Sequence, residues 1–95
     1  MKSKKTKANG LEQYVGKNVF VRTVTYHHTG RLTAIGDGFL VLDDAAWIAD
    51  SGRWSAALKT GSLSEVEPFP GRVLVAAASI VDICEWGLVL PRDVK

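Results

Sequence analysis

The chain predicts a mainly β domain: a five-stranded, strongly bent, partly open barrel with a short N-terminal helix and a helix-bearing insertion. Three observations carry this. Segments rich in β-branched and aromatic residues (NVFVRTVTY, FLVL, RVLVAA and IVDICEW) recur at strand length. Glycine-marked turns separate the early ones. Both alternating faces of the first segment carry apolar residues, which suits a small barrel whose outside is partly covered.

The elements follow in order. Leu11–Val15 makes one helical turn, with Leu11, Tyr14 and Val15 on a shared face and Gly16 as its end. Strand one runs Asn18–Tyr26, with Val19, Val21 and Thr23 on one face and Phe20, Arg22 and Val24 on the other. His27-His28-Thr29-Gly30 reads as a tight turn, Arg31–Ile35 as strand two, and Gly36-Asp37-Gly38 as a second turn. Phe39–Leu42 is a continuous apolar run, best explained by burial on both sides. Strand is expected to continue through Ile48, with Asp43-Asp44 marking a bend. Asp50-Ser51 is placed to cap a helix over 52–60, where Trp54, Ala57 and Leu58 share a face and Gly61 terminates it. SLSEVEPFPG reads as loop stiffened by Pro68 and Pro70. Strands four and five are Arg72–Ala77 and Ile80–Trp86.

Ninety-five residues suit one domain, divided into a basic tail (1–10), a barrel (11–90, insertion 49–71) and a C-terminal tail (91–95). At 46% hydrophobic and 23% charged, the chain is expected to fold. One cysteine excludes an internal disulfide, and no apolar run approaches the length of a membrane span. The basic start MKSKKTK is followed by no apolar segment, so no secretory signal is expected and a cytoplasmic location is the default. The formal net charge is +2, but Lys2, Lys4, Lys5 and Lys7 supply four of the twelve cations. The remaining eight face ten acids, so the body is mildly acidic and carries no domain-wide footprint for nucleic acid.

The stretches LEQYVGKNVFVRTV, GRLTAIGDGFLVLDDA and VLVAAASIVDI resemble the Sm-like fold, the family of Sm and Lsm proteins and the Hfq-type RNA chaperones. The resemblance covers 11–48 and 72–86 and leaves 49–71 outside. It implies a homo-oligomeric ring, closed by pairing the fourth strand of one copy with the fifth of the next. The physics agrees: an open barrel leaves both margins with unpaired backbone groups, and head-to-tail pairing satisfies them. Val73, Val75 and Ala77 lie on one expected edge, Val81 and Ile83 on the other. For RNA, the resemblance implies a turn at Asp37-Gly38-Phe39 with Phe39 as a stacking face; the four tail lysines, read from the charge run, are expected as phosphate contacts. The family's second motif is missing: Ala76-Ala77-Ala78-Ser79 stand where its members carry Arg-Gly or Lys-His.

Other chemistry is sparse. His27 and His28 are adjacent, so on a strand they point to opposite faces and do not chelate one ion. Cys84 has no activating partner in sequence and reads as an inert thiol. The acids form no recognisable catalytic pair, and no nucleophile–His–acid, phosphate-loop or zinc spacing occurs, so neither an enzyme, a cofactor nor a metal is expected. The insertion concentrates Trp47, Trp54, Leu58 and Phe69. It either covers the barrel as an extra core layer or offers an aromatic surface to a partner protein. The expected function is therefore a ring-forming scaffold or adaptor. The alternative is an Sm-like binder of single-stranded RNA.

Overall fold

A computed structural model describes residues 10–95. Six antiparallel strands form one sheet: β1 (Asn18–Thr23), β2 (His27–Ile35), β3 (Phe39–Asp50), β4 (Glu65–Pro68), β5 (Val73–Ala76) and β6 (Ile80–Glu85). One helix, α1 (Trp54–Thr60), lies between β3 and β4, and a single 3₁₀ turn (Leu11–Tyr14) precedes β1. The main path is β4-β3-β2-β1-β6, and β5 also pairs with β3.

The curvature follows from connectivity. In the five-strand run β6-β1-β2-β3-β5, β5 and β6 are opposite ends, yet a 3₁₀ turn of three residues (Ala77–Ser79) joins them. Flat, those ends stand about 19 Å apart at the usual strand spacing. The four steps from Ala76 to Ile80 span at most about 14 Å fully extended, and less in a 3₁₀ turn. The sheet must therefore curl, though it does not close: β5 and β6 do not pair with each other.

The bend sits at Asp43-Asp44, as expected. Arg31 pairs with Asp43 and Thr29 with Ala46, so Asp44 and Ala45 together face Gly30. Asp44 takes φ +52°, the left-handed value that such a bulge demands and that aspartate tolerates better than most residues. The strands approach closely here. A Cβ at Gly30 would lie 3.1 Å from the Leu42 Cβ and 3.2 Å from the Ala45 Cβ. That explains why His27–Gly30 is not the expected turn. Gly30 is a mid-strand residue fitted against the bulge, and the chain reverses earlier, at Val24–Tyr26. There the Thr23 hydroxyl and N–H both donate to the Tyr26 carbonyl.

The bulge splits β3 between two apolar clusters. Val19, Val21, Leu32, Leu40, Leu42, Ala45 and Val75 fill the concave side. Phe20, Ala46, Ile48, Ala57, Leu63, Val66 and Trp86 form a second cluster on the other face. Thus β1 is buried on both sides, as its mixed faces predict. The second cluster corrects the reading of SLSEVEPFPG as loop. Val66 is apolar, buried and opposite Ile48, so Glu65–Pro68 adds a sixth strand beside the second half of β3. Pro68 is tolerated because it ends an outer strand. The helix also starts later than expected, at Trp54. The Asp50 carboxylate accepts from the Gly52 N–H (2.8 Å) in a turn rather than capping α1, whose preceding residue is Arg53. Gly61 ends α1 in the left-handed region.

Residues 91–95, expected as a tail, are tied to the body. The Val66 and Lys95 backbones exchange hydrogen bonds of 3.0 and 2.9 Å. The Arg92 guanidinium donates to the carbonyls of Ala45 (2.6 Å) and Phe69 (3.0 Å). No helix among the described residues is long and apolar enough to cross a membrane.

Candidate functional site

Among the described residues the sheet has three outer margins, and they differ chemically. The margin of β4 is guarded: Val66 is paired to Lys95, Glu65 and Glu67 are exposed, and Pro68 closes the strand. The margins of β5 and β6 carry no such cover among the described residues. Each is paired on one side only, to β3 and to β1 respectively. Each also carries an exposed aliphatic side chain, Leu74 at 60% and Val81 at 59%. Val81 is thrown outward because the β1–β6 register slips between Arg22 and Thr23, leaving it without a partner.

The expected edge residues divide on inspection. Val75 belongs to the buried concave cluster, and Val73 and Ile83 pack against it. Their side chains serve the monomer, and only their backbone is available at the margin. Ala77 lies in the 3₁₀ turn beyond β5. Leu74, which alternation along β5 places outward, is the exposed apolar residue that sequence reasoning passed over.

The Asp37-Gly38-Phe39 turn and the Ala76–Ser79 turn meet: the Ala77 N–H donates to the Gly38 carbonyl at 2.9 Å. Asp37 and Gly38 are exposed and Phe39 is half-buried. The Phe39 ring folds back onto its own hairpin, so that a Cβ at Gly36 would lie 2.2 Å from it. One ring face is thus already covered. Ala76–Ser79 contributes no cation or ring. Lys2, Lys4, Lys5 and Lys7 lie outside the described residues.

The insertion covers both faces of the sheet: Trp54 packs on the Phe20 side, and Phe69 packs against the concave cluster. Trp54 is half-buried, edge-on to Phe20 at 4.8 Å, with the Arg22 guanidinium 5.5 Å from its centroid. Trp47 stands edge-on to Tyr26 at 4.6 Å. Phe69 stacks on His28 at 6.0 Å. Leu58 is 42% exposed. Most of the segment's apolar area therefore covers the sheet.

His27 and His28 point to opposite faces, towards Phe20 and Phe69 respectively, and both are half-buried strand residues rather than an exposed turn. Burial, reinforced by His27, pushes the His28 imidazole below its ordinary range. Cys84 is half-buried, and its thiol is pushed up by burial and then by Asp82. Arg22 grips Asp82 through two hydrogen bonds, one of 2.8 Å from Nε, which lower the Asp82 carboxyl below the usual carboxylate range. Among the described residues no group of three His, Cys, Asp or Glu side chains is arranged to hold a metal ion.

A cluster that sequence reasoning missed lies at the bulge. Arg31 reaches Asp44 (2.8 Å), and Arg72 reaches Asp43 through Nε (2.8 Å) and Nη2 (3.2 Å). The Arg72 hydrogen bonds hold the Asp43 carboxyl low. Only the bend at Asp43-Asp44 signalled it, because Arg31 and Arg72 come from two distant segments. No family model and no curated protein matches this sequence.

Proposed function

We propose that this chain is a non-enzymatic assembly module of Sm-like type, whose copies join head to tail through β5 of one and β6 of the next into a ring that serves as a protein scaffold or adaptor. The observation that carries the reading is the contrast between margins: β4 is capped by Lys95, while among the described residues nothing covers β5 and β6, which display Leu74 and Val81. Unpaired backbone groups beside exposed aliphatic residues are the features that a soluble domain normally hides. Because the two bare margins are different strands, their pairing is heterologous and generates a closed ring or an open filament, according to the angle. The sheet order, with its ends joined by one tight turn, supports the Sm-like comparison. Partners of such an assembly meet the insertion at the exposed Leu58 of α1.

RNA contact through Asp37-Gly38-Phe39 and the lysine tail is the second reading, favoured by the meeting of the two turns at Ala77 and Gly38. The uncharged Ala76–Ser79 turn and the covered Phe39 face weigh against it. Mass measurement of the native assembly tests the first reading. A single copy at high concentration refutes it. Salt-titrated binding of short U-rich and A-rich RNAs tests the second. Submicromolar affinity that survives tail deletion would replace the scaffold reading, whereas affinity lost with the tail is electrostatic only.

A further inference from the structure

We infer a binding site for a phosphate-class oxyanion in the cleft between Arg31, Arg72 and Arg92. The cleft has a volume of about 240 Å³, and its wall includes Asp43, Asp44 and Phe69. Three arginines line it, from β2, from the residue before β5 and from the C-terminal segment, together with two carboxylates.

The ledger of partners shows what is spare. Arg72 is held by Asp43, and Arg31 by Asp44, with Asp43 a further 3.8 Å from Arg31. Arg92 donates only to two carbonyls, and no carboxylate among the described residues comes within salt-bridge reach of it. Its charge is therefore not neutralised. Each guanidinium has five N–H donors in a planar fork, so several remain unused on each arginine. A tetrahedral dianion accepts from forks arriving along different directions, which matches three arginines around one opening.

The two carboxylates are not equal obstacles. The Arg31–Asp44 pair is open to water on both sides, with side chains 41% and 54% exposed, and surface pairs of this kind contribute little net stability. An entering dianion displaces Asp44 from Arg31. Asp43, the more sheltered acid, stays with Arg72 through two hydrogen bonds and holds that fork in place. The bulge makes this division by setting the two adjacent acids at different depths.

The test uses the full chain, titrated with sodium phosphate against sodium chloride at matched ionic strength and followed by backbone amide chemical shifts. Saturable movement of the Asp44, Gly71 and Arg72 amides with phosphate alone is the expected result. Arg31→Gln, at an exposed pair, is expected to weaken apparent affinity at least about tenfold, the loss of a charge-assisted hydrogen bond. Arg53→Gln, a cation outside the cleft, is expected to change nothing. Circular dichroism checks that both variants stay folded. A nucleoside monophosphate and an oligonucleotide without terminal phosphates distinguish the source: a stronger response to the monoester identifies a small phosphorylated ligand, and an equal response to the diester identifies a nucleic-acid backbone. Equal shifts with chloride, or unchanged affinity in Arg31→Gln, overturn the site. None of these readouts depends on self-association, so the ring can fail while the cleft stands.

Discussion

Replacing Leu74 and Val81 with lysine is expected to dissolve the proposed ring while leaving each copy folded. The magnitude follows from exposure. Leu74 and Val81 are 60% and 59% exposed in a single copy. Fully burying such a side chain contributes about 1.5–3 kcal/mol, so covering the exposed share contributes about 1–2 kcal/mol each. Losing both weakens one contact by about 2–4 kcal/mol, or roughly 30- to 1,000-fold, and the lysines also act as guards of the kind that blunt natural edges. The same changes remove nothing from either buried cluster, so the stability of a dilute single copy is expected to change little, within about 0.5 kcal/mol. Val75→Lys is the contrast. Val75 is 4% exposed within the concave cluster, and a charge there is expected to unfold the copy itself. Sedimentation velocity across a concentration series, with thermal melts at the lowest concentration, reads both effects. An assembly that survives Leu74→Lys together with Val81→Lys refutes the margin argument, and so does a wild-type chain that sediments as one copy throughout.

Trp54→Ala is expected to cost about 2–3 kcal/mol, less than a fully buried tryptophan, because the ring is half-buried and loses an edge contact with Phe20 and the Arg22 guanidinium. Chemical denaturation measures it, and a near-neutral effect places the insertion off the sheet. Gly30→Ala is expected to cost about 1–3 kcal/mol by overpacking the bulge, with part of the loss recovered when Ala45→Gly is added; strictly additive effects contradict the close approach. The folded His28 titrates below the free imidazole. As pH falls past about 6.5 the unfolded chain takes up a proton that the folded one refuses, so stability present at neutral pH declines until the folded group protonates. Melts from pH 7.5 downward are expected to show this slope, and His28→Gln to flatten it.

The mainly β class, the opening turn, the bend at Asp43-Asp44 and the one helix were legible because each rests on local chemistry: β-branched runs, glycine terminators and a paired-acid interruption of an apolar run. What was not legible depends on distant neighbours. Glu65-Val66-Glu67-Pro68 carries proline and two acids, so local propensity argues for loop; only the facing Ile48 makes it a strand. Gly30 has the local signature of a turn, and its real reason, the approach of Leu42 and Ala45, belongs to another strand. The expected margin residues lie on or beside β5 and β6, but alternation had to be anchored to the curled sheet before Leu74 could be told from Val75. The arginine cleft was invisible for the same reason, since Arg31, Arg72 and Arg92 are brought together only by the fold.

One structural device separates the guarded margin of β4 from the margin of β5. The bulge at Asp44 divides the outer side of β3, whose first half pairs with β5 and second half with β4. Only the β4 half is reached by the C-terminal segment, through Arg92 and Lys95. If that segment is what restricts pairing to β5 and β6, then removing residues 91–95 bares a third margin. Val66 loses both of its bonds to Lys95, and the carbonyls of Ala45 and Phe69 lose Arg92. The exposed Glu65 and Glu67 and Pro68 still oppose pairing there, so the expected outcome is not loss of assembly. It is a broadened distribution of larger, irregular species, because a sheet with three open margins no longer closes on one head-to-tail contact. Light scattering of the truncated chain beside the full one reads this directly. A truncated chain with the same narrow mass distribution would show that charge and proline alone guard β4, and that the C-terminal segment contributes only to the core around Leu63 and Val66.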